Sequence, residues 1–116
     1  MSDISENFPA TITTILAIAA SGSNGAGIIY EGRTFTYNSL DWDARRVASG
    51  LSALGIGLGD RVAFWLPNTP AYLTLYFACA RIGAIAVAIN TRYRAGEVED
   101  VLGRTGAKAL IMWPGF

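Results

Sequence analysis

Three short apolar runs of strand length, separated by two helix-length stretches, most narrowly constrain what this chain can become. Residues 61–66 read Arg-Val-Ala-Phe-Trp-Leu and stop at Pro67-Asn68. A run with no polar alternate side has no face to turn to water, so it predicts a central strand covered on both faces. Residues 69–83 predict a helix, with Thr69 as N-cap, Pro70 at the first helical position and Gly83 as a left-handed cap. Its apolar residues, Tyr72, Leu75, Tyr76, Phe77 and Cys79, run round the circumference and imply burial on two sides. Residues 84–89 predict a second buried strand, residues 97–105 a helix carrying Val98, Val101, Leu102 and Thr105 along one face, and residues 107–113 a third strand. Strand, helix, strand, helix, strand is the pattern of βαβ units in a parallel sheet.

Upstream the period changes. In residues 39–54, Leu40, Ala44, Val47, Ala48, Leu51 and Leu54 share one helical face, while Asp41, Arg45, Ser49 and Ser52 fall elsewhere. Thr36 is placed to cap that helix and Gly55 to stop it. Ile28, Ile29 and Tyr30 and then Thr34, Phe35 and Thr36 flank Glu31-Gly32, which predicts a β-hairpin. Residues 21–27 are rich in Ser and Gly and separate this unit from a helix expected near residues 11–20. The fold class expected is therefore α/β, with parallel-sheet βαβ units preceded by an N-terminal helix and a hairpin. The organisation expected is residues 1–27 as helix and linker and residues 28–116 as the folded unit.

Composition excludes several chemistries. The chain has 116 residues, nine Lys+Arg against nine Asp+Glu, and no His. Without His it holds no imidazole base, no Ser-His or Cys-His pair and no His-ligated metal. Balanced charge without a basic run offers no footprint for nucleic acid. The single Cys79 excludes an internal disulfide or a C-x-x-C pair and fits a reducing, cytoplasmic compartment. Asp3 and Glu6 stand where a signal peptide would be basic, and Arg81 and Gly83 interrupt the most membrane-like stretch, residues 71–89, so no membrane span is expected.

No residue is assigned a catalytic or metal-binding role. The loop Gly55-Ile56-Gly57-Leu58-Gly59-Asp60 invites a phosphate-binding reading, but it follows a helix and precedes a strand. A phosphate cradle needs the opposite order, so that helix N–H groups face the anion. The loop reads as a glycine stop and tight turn, with Asp60 as a turn carboxylate. Lys108 is the sole lysine and its neighbours do not support catalysis, while Cys79 reads as a small core residue. Core or flank packing is the expectation for Trp42, Trp65 and Trp113, and core packing for Tyr72, Tyr76 and Phe77. Arg92-Tyr93-Arg94 sits where the second strand ends, the side of a parallel sheet on which ligands bind. The competing reading is a solvated loop whose arginines pair with Glu97, Glu99 and Asp100.

Taken in order, Gly32-Arg33-Thr34-Phe35-Thr36-Tyr37, Leu54-Gly55-Ile56-Gly57, Gly59-Asp60-Arg61-Val62-Ala63, Leu66-Pro67-Asn68, Ala80-Arg81-Ile82-Gly83-Ala84, Ile89-Asn90-Thr91-Arg92-Tyr93 and Thr105-Gly106-Ala107-Lys108 resemble the opening of the adenylate-forming superfamily. That superfamily includes acyl-CoA synthetases, nonribosomal adenylation domains and luciferases. The resemblance implies that residues 28–116 are the first, incomplete part of a large N-terminal domain. It implies a reaction in which a carboxylate attacks the α-phosphate of ATP and a thiol, usually that of CoA, then displaces AMP. ATP, Mg2+ and CoA are the cofactors implied for a full-length enzyme. The family's phosphate loop, its magnesium and ribose groups and its catalytic lysine lie in later segments, so none is assigned here and no cofactor is expected to bind the piece tightly.

Some positions depart from the family pattern, which commonly reads Pro-Leu-Asn-Pro-Arg-Tyr where this chain has Ala88-Ile89-Asn90-Thr91-Arg92-Tyr93. Thr91 stands where Pro is common, and Arg94 stands where the next helix usually has a Thr cap. In CoA ligases resembling this chain, the arginine matching Arg92 lies near the CoA nucleotide, which implies a CoA phosphate contact for Arg92. The partners expected are the remainder of a full-length chain and further copies of this piece, meeting through a surface around Ile85, Val87, Leu110, Met112 and Trp113. Two other readings stand beside the ligase: a self-contained α/β binding module, and part of a nonribosomal-type adenylation domain.

Overall fold

The computed structural model describes residues 16, 19, 20 and 27–115. A hairpin comes first, strand β1 (Gly27–Tyr30) pairing antiparallel with β2 (Arg33–Thr36). Helix α1 (Tyr37–Ala53), strand β3 (Arg61–Trp65), helix α2 (Pro70–Ile82), strand β4 (Ile85–Ala88), helix α3 (Ala95–Thr105) and strand β5 (Ala109–Met112) follow. The second sheet is parallel, in the order β4-β3-β5.

β3 is the central strand, as its unbroken apolar run requires. Val62, Ala63 and Phe64 are fully buried, and alternate residues serve opposite faces. Val62, Phe64 and Leu66 join Ala48, Leu51 and Ile56 from the α1 side and Ala78 and Cys79 from α2 in one cluster. Ala63 and Trp65 join Val98, Val101 and Leu102 of α3 in another. The chain steps from β3 out to β4, then back across β3 to β5. A single crossover handedness places α2 and α3 on opposite faces, so the sheet is covered on both. Phe64 stands edge-on to Tyr72, ring centroids 5.5 Å apart, and ties β3 to α2. Full burial of a side chain of this size contributes about 1.5–3 kcal/mol.

α2 has two buried sides, as expected. Leu73 and Phe77 pack with Leu16, Leu40 and Ala44 in a cluster separate from that of Ala78 and Cys79. The rest of the expected N-terminal helix and most of the Ser/Gly linker lie outside the described residues, although residues 16, 19 and 20 are helical. Gly27, expected to end the linker, opens β1. A Cβ there would run into the Phe35 carbonyl.

The structure corrects several expectations. β4 and β5 are outer strands of the sheet among the described residues, so β4 is not a buried strand; only Ile89, just past its end, is buried. Trp42 and Trp113 are 63% and 48% exposed, which leaves Trp65 as the tryptophan packed in the core. Tyr76 and Leu54 are exposed, and Asp41 is buried and paired with Arg45 at 3.0 Å. Leu54 falls outside the buried stripe because it is the C-cap, where the chain leaves the helical path. Thr69 sits at the N-cap of α2 but its hydroxyl makes no capping bond. The surface expected for self-association is not one patch: α3 half-covers Val87 and Leu110, leaving Ile85 exposed at the start of β4 and Met112 and Trp113 at the end of β5.

Both ends of α1 follow the predicted chemistry. Ser39 N donates to Thr36 Oγ1 at 3.0 Å, capping α1. At its other end Gly55 N donates to Ser52 O and Ile56 N to Leu51 O, with Gly55 at φ +86°. This paired closure needs the left-handed residue that glycine supplies.

Residues 55–60 are then locked at the amino end of the sheet. Asp60 Oδ2 accepts from Gly57 N at 2.8 Å and from Lys108 Nζ at 3.3 Å, and Lys108 Nζ also donates to Gly55 O at 2.7 Å. The Gly57 N–H first, and then the Lys108 ammonium, hold the Asp60 carboxyl below its ordinary value of 3.8, against an opposing desolvation. The lock spans α1, β3 and the approach to β5.

Two predictions follow from these geometries. Glu31 takes φ +50° and Gly32 φ +75° in the hairpin turn. Asn tolerates the left-handed region better than Glu, so Glu31→Asn should raise stability by about 0.5–1 kcal/mol in urea titration; an unchanged midpoint would show that the turn is unstrained. Asp60 ionises more readily folded than unfolded, so its contribution is complete above pH 3.8 and is lost as pH falls through the folded value. Asp60→Asn should melt below wild type at pH 7, and the gap should close on acidification beneath the folded pKa. A gap that persists in acid would show that the charge is irrelevant.

Candidate functional site

The carboxyl end of the parallel sheet carries the candidate site, and the Asn90–Arg94 segment builds it. β4 is held to the core up to its last step: Ile89 is 5% exposed and its N–H donates to Phe64 O at 2.9 Å. The chain then reverses. Tyr93 N donates to Asn90 O at 3.0 Å, closing a β-turn with Thr91 and Arg92 at its two central positions. Asn90 Oδ1 also accepts from Arg92 N at 2.9 Å, so the turn is braced from inside.

The far end of the segment is anchored by α3. Arg94 occupies the N-cap, and its guanidinium cannot accept a hydrogen bond, as the sequence predicts. The reciprocal contact does form: Glu97 Oε1 accepts from Arg94 N at 3.2 Å, and Val98 N donates to Arg94 O at 3.0 Å. One orphan group of the helix start is thereby satisfied.

The pairing of these arginines with the α3 acids, which the competing solvated-loop reading requires, does not form among the described residues. Among the described residues the ion pairs are Arg45–Asp41, Arg104–Asp100 and Lys108–Asp60. Asp100 is taken by Arg104 one helical turn on, and Glu97 is turned toward the Arg94 backbone. The Arg92 guanidinium thus stands exposed at the tip of a braced turn without a carboxylate partner among them. A planar cation of that kind accepts a phosphate or carboxylate through paired N–H groups.

The other candidate features have structural roles. The glycine-rich loop offers no phosphate cradle, because the Gly57 N–H is taken by Asp60 and the Lys108 ammonium is committed to Asp60 and Gly55. Cys79 is 1% exposed, and burial pushes its thiol up to about 11, which leaves it an unreactive core residue. Among the described residues no group of three or more His, Cys, Asp or Glu is placed to hold a metal ion. No described helix is long and apolar enough to cross a membrane.

An open groove of about 580 Å³ lies beside the ends of β3 and β5, lined by Tyr30, Arg33, Phe35, Pro67, Thr69 and Trp113 among others. Arg33 is stacked over the Phe35 ring, 5.3 Å from its centroid, and Arg92 does not line the groove. Of the residues singled out from sequence, Arg92 therefore stands apart from the aromatic groove. Two contributors went unread, Asn90 as the brace of the turn and Lys108 as a clamp. An Asn at the first position of a reverse turn is a readable signal; the 53-residue reach from Lys108 to Gly55 is not.

Comparison with known proteins accords with this arrangement. The family model described as AMP-binding enzyme matches residues 7–114. A long-chain fatty-acid–CoA ligase, FadD13 of Mycobacterium tuberculosis, is 45% identical over 76 residues, covering 66% of this chain and 15% of the ligase. A feruloyl-CoA synthase of an Amycolatopsis species is 38% identical over 96 residues, 83% of this chain and 20% of that enzyme. The inhibitor-bound N-terminal domain of FACL13 from Mycobacterium tuberculosis superposes with a TM-score of 0.83 at 36% identity, over 88% of this chain and 26% of that one. The chain thus spans between about a seventh and a quarter of these relatives' lengths. With the motifs in order, the parallel sheet in place and nearly the whole chain matched, this protein belongs to the AMP-binding, adenylate-forming enzyme family.

Proposed function

We propose that this chain is the opening segment of an AMP-forming acyl-CoA synthetase, with residues 28–116 as the first part of its large N-terminal domain. The overall reaction is a carboxylate joined to AMP from ATP with release of pyrophosphate, followed by transfer of the acyl group to the CoA thiol with AMP leaving. The observation that carries the reading is Arg92, an unpaired guanidinium on a braced turn at the carboxyl end of the sheet, in a chain whose CoA-ligase relatives are 38–45% identical.

The residues present fit one cofactor and not the others. Arg92 suits a CoA phosphate. ATP and Mg2+ find no matching groups among the described residues, since Lys108 and Gly57 are engaged and no acidic cluster stands ready. Those cofactors belong to the remainder of the enzyme, and the 116-residue chain forms no adenylate by itself.

The kinetic consequence is a separation of the two half-reactions. In a ligase carrying this segment, Arg92→Ala should raise the KM for CoA by about 10- to 150-fold, the equivalent of one charge-assisted contact of about 1.5–3 kcal/mol. ATP–pyrophosphate exchange should be unchanged, and the chain alone should show none. Equal CoA kinetics in variant and wild type would return Arg92 to the role of a solvated loop residue.

The remainder of a full-length chain is the partner proposed first, and self-association of the isolated chain the second. The strands β4 and β5 carry no charge or proline to discourage edge pairing, although each is only four residues long. Sedimentation across a concentration series should show association growing with concentration. A compact monomer throughout would favour a self-contained module instead.

A further inference from the structure

Arg92 is held by its neighbours and not by its own side chain. Two bonds from a single residue define the turn that carries it: Asn90 O accepts from Tyr93 N at 3.0 Å and Asn90 Oδ1 accepts from Arg92 N at 2.9 Å. Behind Asn90, the buried Ile89 is bonded to Phe64 O at 2.9 Å. The Asn90 side chain is therefore the one side-chain link between the rigid end of β4 and the backbone of Arg92 among the described residues.

Thr91 makes this link more important. A proline at the second position of a reverse turn fixes φ near the required value, whereas Thr leaves it free. With Thr91 in that place, the side-chain constraint on Arg92 comes from the Asn90 amide oxygen, beside the backbone bond from Tyr93 N to Asn90 O. Breaking it would leave the guanidinium attached to the site but spread over more positions. The binding of an anion would then have to order the turn first.

We propose that Asn90 is a positioning residue for CoA capture, acting through Arg92; this rests on the reading that Arg92 meets a CoA phosphate. Asn90 itself touches no substrate in this scheme. Its effect is confined to the affinity for CoA and leaves the adenylation step alone.

The test is a set of variants in a ligase carrying this segment, read as KM for CoA, kcat for thioester formation and ATP–pyrophosphate exchange. Asn90→Ala should raise the KM for CoA by about 3- to 10-fold, the weight of one net hydrogen bond, with kcat and exchange unchanged. Adding Thr91→Pro to Asn90→Ala should recover most of the loss, because the ring restores the turn without the amide. Combined with Arg92→Ala, the Asn90 substitution should add nothing, since it acts through that residue.

The outcomes separate the two claims. A normal KM in Asn90→Ala beside a raised KM in Arg92→Ala overturns the positioning role and keeps the Arg92 contact. A normal KM in Arg92→Ala overturns the reading on which both rest. Additive losses in the double variant, or a fall in exchange that tracks a lower melting temperature, would show that Asn90 acts independently of Arg92 or merely maintains the fold.

Discussion

The parallel sheet and the two clusters on its faces are arranged around the burial of β3. Val62, Ala63 and Phe64 are fully removed from water and have no polar alternate face, so the strand requires a neighbour on each edge and a helix on each side. Its backbone carbonyls supply the edges. Asp60 O and Phe64 O accept from the β4 side, while Arg61 O and Trp65 O accept from the β5 side. A polar residue at Phe64 would disrupt the cluster that α1 and α2 share on one face of the sheet. Because Phe64 O binds Ile89 N, the same strand also sets where β4 ends and where the turn bearing Arg92 begins.

The two ends of the sheet are satisfied differently, and that difference directs function. At the amino end, Asp60 and Lys108 are committed to the Gly57 N–H, the Gly55 carbonyl and each other. At the carboxyl end, Asn90 and Glu97 satisfy the backbone and leave the Arg92 guanidinium uncommitted. A glycine-rich loop and an arginine-rich loop thus have opposite fates, decided by whether a neighbouring side chain reaches them. Exposure alone would not separate them, since both loops lie on the surface. Ligand sites at the carboxyl ends of parallel strands follow the same logic, because loops there leave the sheet free to carry unpaired groups.

The βαβ order, the Thr36 cap and the glycine stops were readable because each depends on residues within a few positions of one another. The role of Asp60 as a turn carboxylate was readable for the same reason. Burial at the margins was not. β4 reads like β3 in its apolar run, yet it lies at the edge, and a strand's place in the sheet is set by pairings that sequence spacing does not reveal. Trp42 and Tyr76 stay exposed on their helices, Tyr76 meeting the Phe77 ring edge-on, so their apolar character misled. Asp41 went the other way, buried beside Leu40 and matched to Arg45 one turn along. At the candidate site, Arg92 was legible from its place after a strand, whereas its freedom from Glu97 and Asp100 depended on where those acids turn in three dimensions.

The most direct test of the account is a structure of a ligase carrying this segment with CoA bound. The account predicts an Arg92 guanidinium nitrogen about 2.7–2.9 Å from a phosphate oxygen of CoA, as expected for a charge-assisted contact. It also predicts the turn at Asn90 in the conformation described here. CoA bound elsewhere, with Arg92 in solvent or paired to a protein carboxylate, would contradict it.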